Sequence, residues 1–183
     1  MTVVFMDRDG VINVNRHDYV KTVDEFEFVP GALDGLARLK NAGITVVVVS
    51  NQAGVGRGLI DPAELERINE KMRRAVAEHG GEIAGIYYCV HRKDEGCDCR
   101  KPGIGLLLQA SADMDFPLGD AYFIGDAESD LEAGRKAGCR TIFVLTGRTS
   151  ADQMRTWNCR PDFVADDLPA AVDYILALER DER

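Results

Sequence analysis

Apolar positions along the chain come in two alternating patterns. Short uninterrupted runs, Val3 to Met6, Ile44 to Val49, Ile83 to Tyr88, 121 to 124 and Thr141 to Leu145, suit strands buried on both faces of a parallel sheet. Between them, apolar residues recur at helical spacing. Leu33, Leu36, Ala37 and Leu39 form one stripe, stopped by Gly43; Leu65, Ile68, Met72 and Val76 form another, broken by Gly80-Gly81. That second helix has a clear start in Asp61-Pro62-Ala63-Glu64, with a capping acid and a proline in the first turn. Further helices are expected over 103–113, after Asp126 up to about Gly138, and from Pro169 through Val172, Ile175, Leu176 and Leu178, with a short strand near Phe163. Strand and helix in strict alternation predict a doubly wound, mostly parallel α/β sheet of Rossmann-like type. No repeat or linker interrupts it, so residues 1–183 are expected to form a single domain with one core.

The residues just past each strand shift the picture from packing to chemistry. The first run ends in Asp7-Arg8-Asp9-Gly10, two carboxylates that repel unless a cation lies near, and dense hard oxygen ligands suit Mg²⁺. In isolation, a strand-end turn with solvated aspartates is the better explanation of that stretch. The second run ends in Ser50-Asn51-Gln52 and a glycine-rich loop, Ala53 to Gly58, whose glycines allow close approach to a ligand but lack the ending of a P-loop. Arg100-Lys101-Pro102 and Gly125-Asp126 lie further downstream. In doubly wound sheets ligands bind beyond the carboxyl ends of the strands, where Asp7, Ser50 and Asp126 lie. Asp130, four residues after Asp126, reads as a brace for that loop, a holder of metal-bound water, or a solvated acid at a helix start.

Cys89-x-His91 and Cys97-x-Cys99 place three thiols and an imidazole within eleven residues, a four-ligand set of the kind a structural Zn²⁺ takes. Cys99 directly precedes Arg100-Lys101, so a fixed loop there would aim both cations. A zinc-finger interaction module would need its own strands and helix, which a strand-to-helix loop does not supply. Cys139 reads as a core thiol, and Cys159 has no assignment. The formal charge of −9 argues against nucleic acid or an anionic membrane as partner. Charge arrives at Asp7, too early for a signal segment, and five cysteines with metal-like spacing suit a reducing compartment, so a cytoplasmic protein is expected.

In order, Asp7-x-Asp9-Gly10, Ser50-Asn51-Gln52, Arg100-Lys101-Pro102 and Gly125-Asp126 resemble the four motifs of the haloacid dehalogenase superfamily over nearly the whole chain. The resemblance implies strand order 5-4-1-2-3 and phosphoester hydrolysis through an aspartyl phosphate. Asp7 would be the nucleophile, Asp9 the general acid and base, and Ser50 and Lys101 the transition-state stabilisers. Mg²⁺ would be held by Asp7, the carbonyl of Asp9 and Asp126. The cysteine segment is similar to the zinc-containing, cap-lacking branch, whose members dephosphorylate heptose bisphosphate, a lipopolysaccharide precursor, or histidinol phosphate. Asn51-Gln52-Ala53-Gly54-Val55-Gly56-Arg57-Gly58 is nearer the heptose type, with histidinol phosphate the alternative. By the same likeness Asn15, Tyr19, Asn51, Gln52, Arg57, Arg100 and Lys101 would meet a small phosphorylated substrate, and the protein would be a monomer. Val90 replaces a usual proline, the span from His91 to Cys97 is short, and Ile104 precedes Gly105 where proline is common. A receiver-like signalling module shares acids and Mg²⁺ but carries its acceptor at the end of strand three, here Cys89. A silent scaffold would not need the acid pair, lysine and amide together.

Overall fold

A computed structural model describes residues 1–181. Six parallel strands lie side by side in the order β3-β2-β1-β4-β5-β6. They are β1 (Val3–Met6), β2 (Thr45–Asn51), β3 (Gly85–Cys89), β4 (Tyr122–Gly125), β5 (Arg140–Val144) and β6 (Phe163–Ala165). The expected order holds across the first five strands, with the short strand at Phe163 added at the edge. The helices among the described residues are α1 (Ala32–Asn41), α2 (Ala53–Gly56), α3 (Pro62–Glu78), α4 (Gly105–Met114), α5 (Glu128–Lys136), α6 (Ala151–Met154) and α7 (Leu168–Asp181).

Both faces of the sheet are covered, which is why its strands carry no polar alternation. Val4, Met6, Val46 and Val48 point into one core with Leu36, Leu39, Ile68, Met72 and Val172 of α1, α3 and α7. Their neighbours Val3, Phe5, Val47 and Val49 point the other way, against Leu106, Leu107 and Ala110 of α4. Cys139 is buried in that second core, and Cys159 packs with Leu131 and Phe143 in a smaller cluster. The connection from β1 to α1 contains a single 3-10 turn, Val23–Glu25, and no cap domain. No helix among the described residues is long and apolar enough to cross a membrane.

The stretch after β2 departs from expectation. It is a single helical turn, α2, and its glycines make room for protein: a Cβ at Gly54 would lie 2.5 Å from Ile60, and one at Gly56 would lie 2.3 Å from the Val90 carbonyl oxygen. Glycine composition signalled close approach, but which partner approaches is settled by the neighbouring loops. The third strand also begins later than its apolar run suggests and extends to Cys89.

Candidate active site

Parallel pairing in register brings three strand ends to one edge. Met6 lies opposite Val48 and Ile124, and the Asp7 amide donates to the Ile124 carbonyl at 3.0 Å. Asp7, Ser50 and Asp126, at or just past the ends of these strands, therefore emerge together. Carboxylate oxygens of Asp7, Asp126 and Asp130 lie within 4.8 Å of one another.

Lys101 reaches this cluster from the β3–α4 connection. Its buried ammonium lies 3.1 Å from Asp7 and 2.7 Å from Asp130, and donates to the Val49 carbonyl at 2.8 Å. Asn51 fixes the lysine's backbone from both sides, donating to its carbonyl at 3.1 Å and accepting from its amide at 3.0 Å. Asp130 accepts from the amides of Asp126 and Ala127 at 3.2 and 3.1 Å and is buried, so of the three readings open for it the loop brace describes its contacts and the solvated acid does not.

The electrostatics are set by burial and crowding. Burial pushes the Asp7 carboxyl up, repulsion from Asp130 and Asp9 adds to this, and Lys101 and the Ser50 hydroxyl pull back, leaving it at about 6. Asp126 is pushed to about 8 by burial and by the charges of Asp130 and Asp7. Asp9 behaves oppositely. Burial would raise it, but the Arg8 charge and hydrogen bonds from Asn13, Gln52 and Arg8 outweigh that and hold it below the usual carboxylate range. Lys101 is raised, since Asp130 and Asp7 outweigh its desolvation. Four carboxylates thus face two buried cations, Arg8 and Lys101. A divalent cation would offset the remaining charge and release the two strained acids to ionise, so the donor set fits Mg²⁺. Asp9 directs its side chain to Arg8, Asn13 and Gln52 and away from the acid cluster, leaving only its carbonyl for such an ion.

Two glycines hold Asp126 in place, and neither was recognised from the sequence in that role. A Cβ on Gly10 would lie 2.3 Å from Asp126 Oδ2, and one on Gly147, in the loop after β5, only 1.9 Å from it. Thr146 Oγ1 donates to the Gly10 carbonyl at 2.6 Å, tying that loop to the first. The signal was available: Thr146-Gly147-Arg148 comes after a strand as the other motifs do. Gly147→Ala should displace the Asp126 carboxylate and raise the Mg²⁺ concentration for half-maximal activity by about tenfold or more. Mg²⁺ titration of phosphate release measures this, and an unchanged midpoint would mean the loop yields without moving Asp126.

A cavity of about 500 Å³ opens above the acids, lined by Asp7, Asp9, Asn15, Tyr19, Asp126 and Arg148 among others. Asn15 donates to Asp126 at 3.1 Å. A second, of about 540 Å³, shares Asn51 and Ser129 with the first and adds Arg92, Lys93 and Arg100. Two of the expected substrate residues lie outside both cavities. Gln52 is buried with its amide taken up by Arg8, Asp9 and Ser50, and exposed Arg57 lines neither cavity. Both sit in the motif-bearing loop, but the turn of α2 sends one inward and the other past the rim.

The four predicted thiol and imidazole ligands also converge. Cys89, Cys97 and Cys99 sulfurs lie 3.0–3.6 Å apart, and His91 Nδ1 lies 3.4 and 3.2 Å from Cys89 and Cys99. All five cysteines are free of disulfides. Tetrahedral Zn²⁺ with bonds of about 2.3 Å separates sulfurs by about 3.8 Å, so the cluster is within an ångström of a filled metal site. Arg100 donates to the His91 carbonyl at 3.3 Å, so this loop and the cation beside the cavity are one unit.

A HAD-hydrolase-like family profile matches residues 98–171. The D-glycero-beta-D-manno-heptose-1,7-bisphosphate 7-phosphatase of Pseudomonas aeruginosa is 45% identical over 147 residues, 80% of this chain and 83% of that one. The chain belongs to this phosphatase family. The Bordetella bronchiseptica relative of the same name is 38% identical over 176 residues, covering 96% of this chain and 98% of its own. A crystal structure of the D,D-heptose 1,7-bisphosphate phosphatase from B. bronchiseptica, complexed with magnesium and phosphate, superposes with a TM-score of 0.92. It covers 97% of this chain and 99% of that one at 37% identity. Family membership thus extends along almost the whole sheet, including the thiol loop that the profile match only enters at its end.

Proposed function

We propose that the protein is a Mg²⁺-dependent phosphomonoesterase that removes the 7-phosphate of D-glycero-β-D-manno-heptose 1,7-bisphosphate. The observation that carries the chemistry is Lys101, buried between Asp7 and Asp130 beneath a cavity lined by Asp9 and Asp126. The chain-long likeness to phosphatases of that name supports the sugar.

Asp7 attacks phosphorus, and Lys101 and the Ser50 hydroxyl offset charge on the transferring oxygens. Asn51 keeps one amide hydrogen beyond its bond to the Lys101 carbonyl and can donate it into the cavity. Mg²⁺, held by Asp7, Asp126 and the Asp9 carbonyl, supplies charge neutralisation between the attacking carboxylate and the anionic ester. Asp9 is a carboxylate before substrate arrives. The approaching dianion raises its proton affinity, so it takes up a proton from solvent as substrate binds, gives that proton to the departing alkoxide, and then takes one from the hydrolytic water. Arg100 meets the sugar or its second phosphate and Asn15 and Tyr19 form the rim, a reading supported by their lining the two cavities. Zn²⁺ at Cys89, His91, Cys97 and Cys99 would hold the loop that delivers Arg100 and Lys101. Free thiols suit the reducing cytoplasm, where we place this enzyme as a monomer.

The test is a kinetic comparison of heptose 1,7-bisphosphate with histidinol phosphate, with metal content measured on the same preparation. The expected kcat/KM favours the heptose ester by at least about 100-fold, with one zinc per chain. A reversed preference overturns the substrate, and a zinc-free active enzyme overturns the loop's metal.

A further inference from the structure

Behind the acids lies a layer of polar side chains for which no ligand-facing role remains. Arg8 is 1% exposed, Gln52 2% and Asn13 0%. All three converge on Asp9, which itself reaches the cavity. Arg8 Nη2 donates to both carboxylate oxygens at 3.1 Å, Asn13 Nδ2 to Oδ1 at 2.9 Å and Gln52 Nε2 to Oδ2 at 2.7 Å. Buried polar groups are expensive, and this layer is incompletely satisfied: Arg8 Nε and Nη1 and Asn13 Oδ1 have no hydrogen-bond partner among the described residues. Such a cost persists where geometry serves function.

Gln52 occupies the junction. Its second amide hydrogen goes to Ser50 Oγ at 2.9 Å, and its carbonyl accepts from Arg8 Nη2 at 3.1 Å. A flipped amide would face its oxygen to the Asp9 carboxylate, so only one orientation is tenable. Because Ser50 Oγ accepts from Gln52, its own proton is free to be donated, and the hydroxyl lowers the Asp7 carboxyl as a donor would. We infer that Gln52 is a positioning residue for catalysis: one buried amide sets the direction of the proton-transferring Asp9 and of the Ser50 hydroxyl beside the nucleophile.

This role for Gln52 rests on the phosphatase reading, and the leaving group separates the two. An alkoxide needs the proton that Asp9 delivers, whereas 4-nitrophenolate departs without one. Since kcat/KM reports events up to departure of the alcohol, misaiming Asp9 should damage the two substrates unequally. In Gln52→Met, which keeps length and bulk, kcat/KM on the sugar ester should fall by about 100-fold and that on 4-nitrophenyl phosphate by less than about tenfold. Asn13→Ala, which frees Asp9 from the other side without touching Ser50, should give the same imbalance. Equal losses on both esters in both variants would make Gln52 structural only and overturn the proposal, as would wild-type rates. Should Gln52→Met fail to fold, Gln52→Glu, which keeps the carbonyl-side contact to Arg8 but sets like charge against Asp9, decides in its place and should show the same imbalance. If the wild-type enzyme ignores heptose bisphosphate, the substrate reading fails alone, and the contrast is measured on whichever alkyl phosphate it hydrolyses.

Discussion

Asp7→Asn should remain folded and lose turnover by about 10⁴-fold or more, the scale on which removing a covalent nucleophile acts. Asparagine preserves the shape of the side chain and its contact with Lys101, but its neutral oxygen is too weak a nucleophile to displace an alcohol from phosphorus. It also removes one charge from a crowded cluster, since Asp7 repels Asp126. The loss should therefore come without a fall in thermal stability, and acid quench during turnover should trap phosphoenzyme in the wild type but none in the variant. Activity above about 1% of wild type in a preparation free of contaminating phosphatase would remove Asp7 from the nucleophile's place.

Asp126→Asn is expected to separate stability from activity. In the metal-free protein the Asp126 carboxyl is raised to about 8 by burial, with the charges of Asp130 and Asp7 adding to it. A carboxyl held above its unfolded value keeps its proton in the native state, so its stabilising effect is full below the unfolded pKa, near pH 4, and is lost as pH rises through about 8. Asp7, raised to about 6, acts in the same direction over a lower range. Metal-free protein should thus melt several degrees lower at pH 8.5 than at pH 5.5, and Mg²⁺ should restore the difference most strongly at the higher pH. In Asp126→Asn the decline should flatten, the Mg²⁺ response should shrink, and phosphate release should fall by about 10³-fold or more. Calorimetry in Mg²⁺-free buffer without chelator makes the measurement while leaving the thiol site its metal. A wild-type melting temperature that rises between those pH values would contradict the assignment of strain to these acids.

Both expectations depend on the same contrast, between acids that repel and an acid that is restrained. Asp7 and Asp126 are raised because burial desolvates them and their acidic neighbours repel them without full compensation, whereas Asp9, also buried, is lowered because Arg8, Asn13 and Gln52 surround it. A cation is therefore wanted on one side of the nucleophile and not on the other. That asymmetry supports the proposal that metal binding and proton transfer fall to different carboxylates two residues apart.

Much of this was readable along the chain because it is carried by local rules. Unbroken apolar runs with helical stripes between them imply a sheet covered on both faces, and strand-terminal Asp7, Ser50 and Asp126 then fall at one edge by the geometry of parallel pairing. The spacing of Cys89, His91, Cys97 and Cys99 limits how far those four atoms can separate. Other features depend on who lies opposite whom between segments far apart in the chain. That Gly147 presses on Asp126, that Asn51 grips the Lys101 backbone, that Asp130 is buried under Lys101, and that Gln52 turns inward while Arg57 turns out could be known only once β5, the thiol loop and α2 had been packed against β1. Sequence pattern reports the period and burial of each element; the identity of a buried polar group's partner is a property of contacts between elements, and those are decided by close packing in three dimensions.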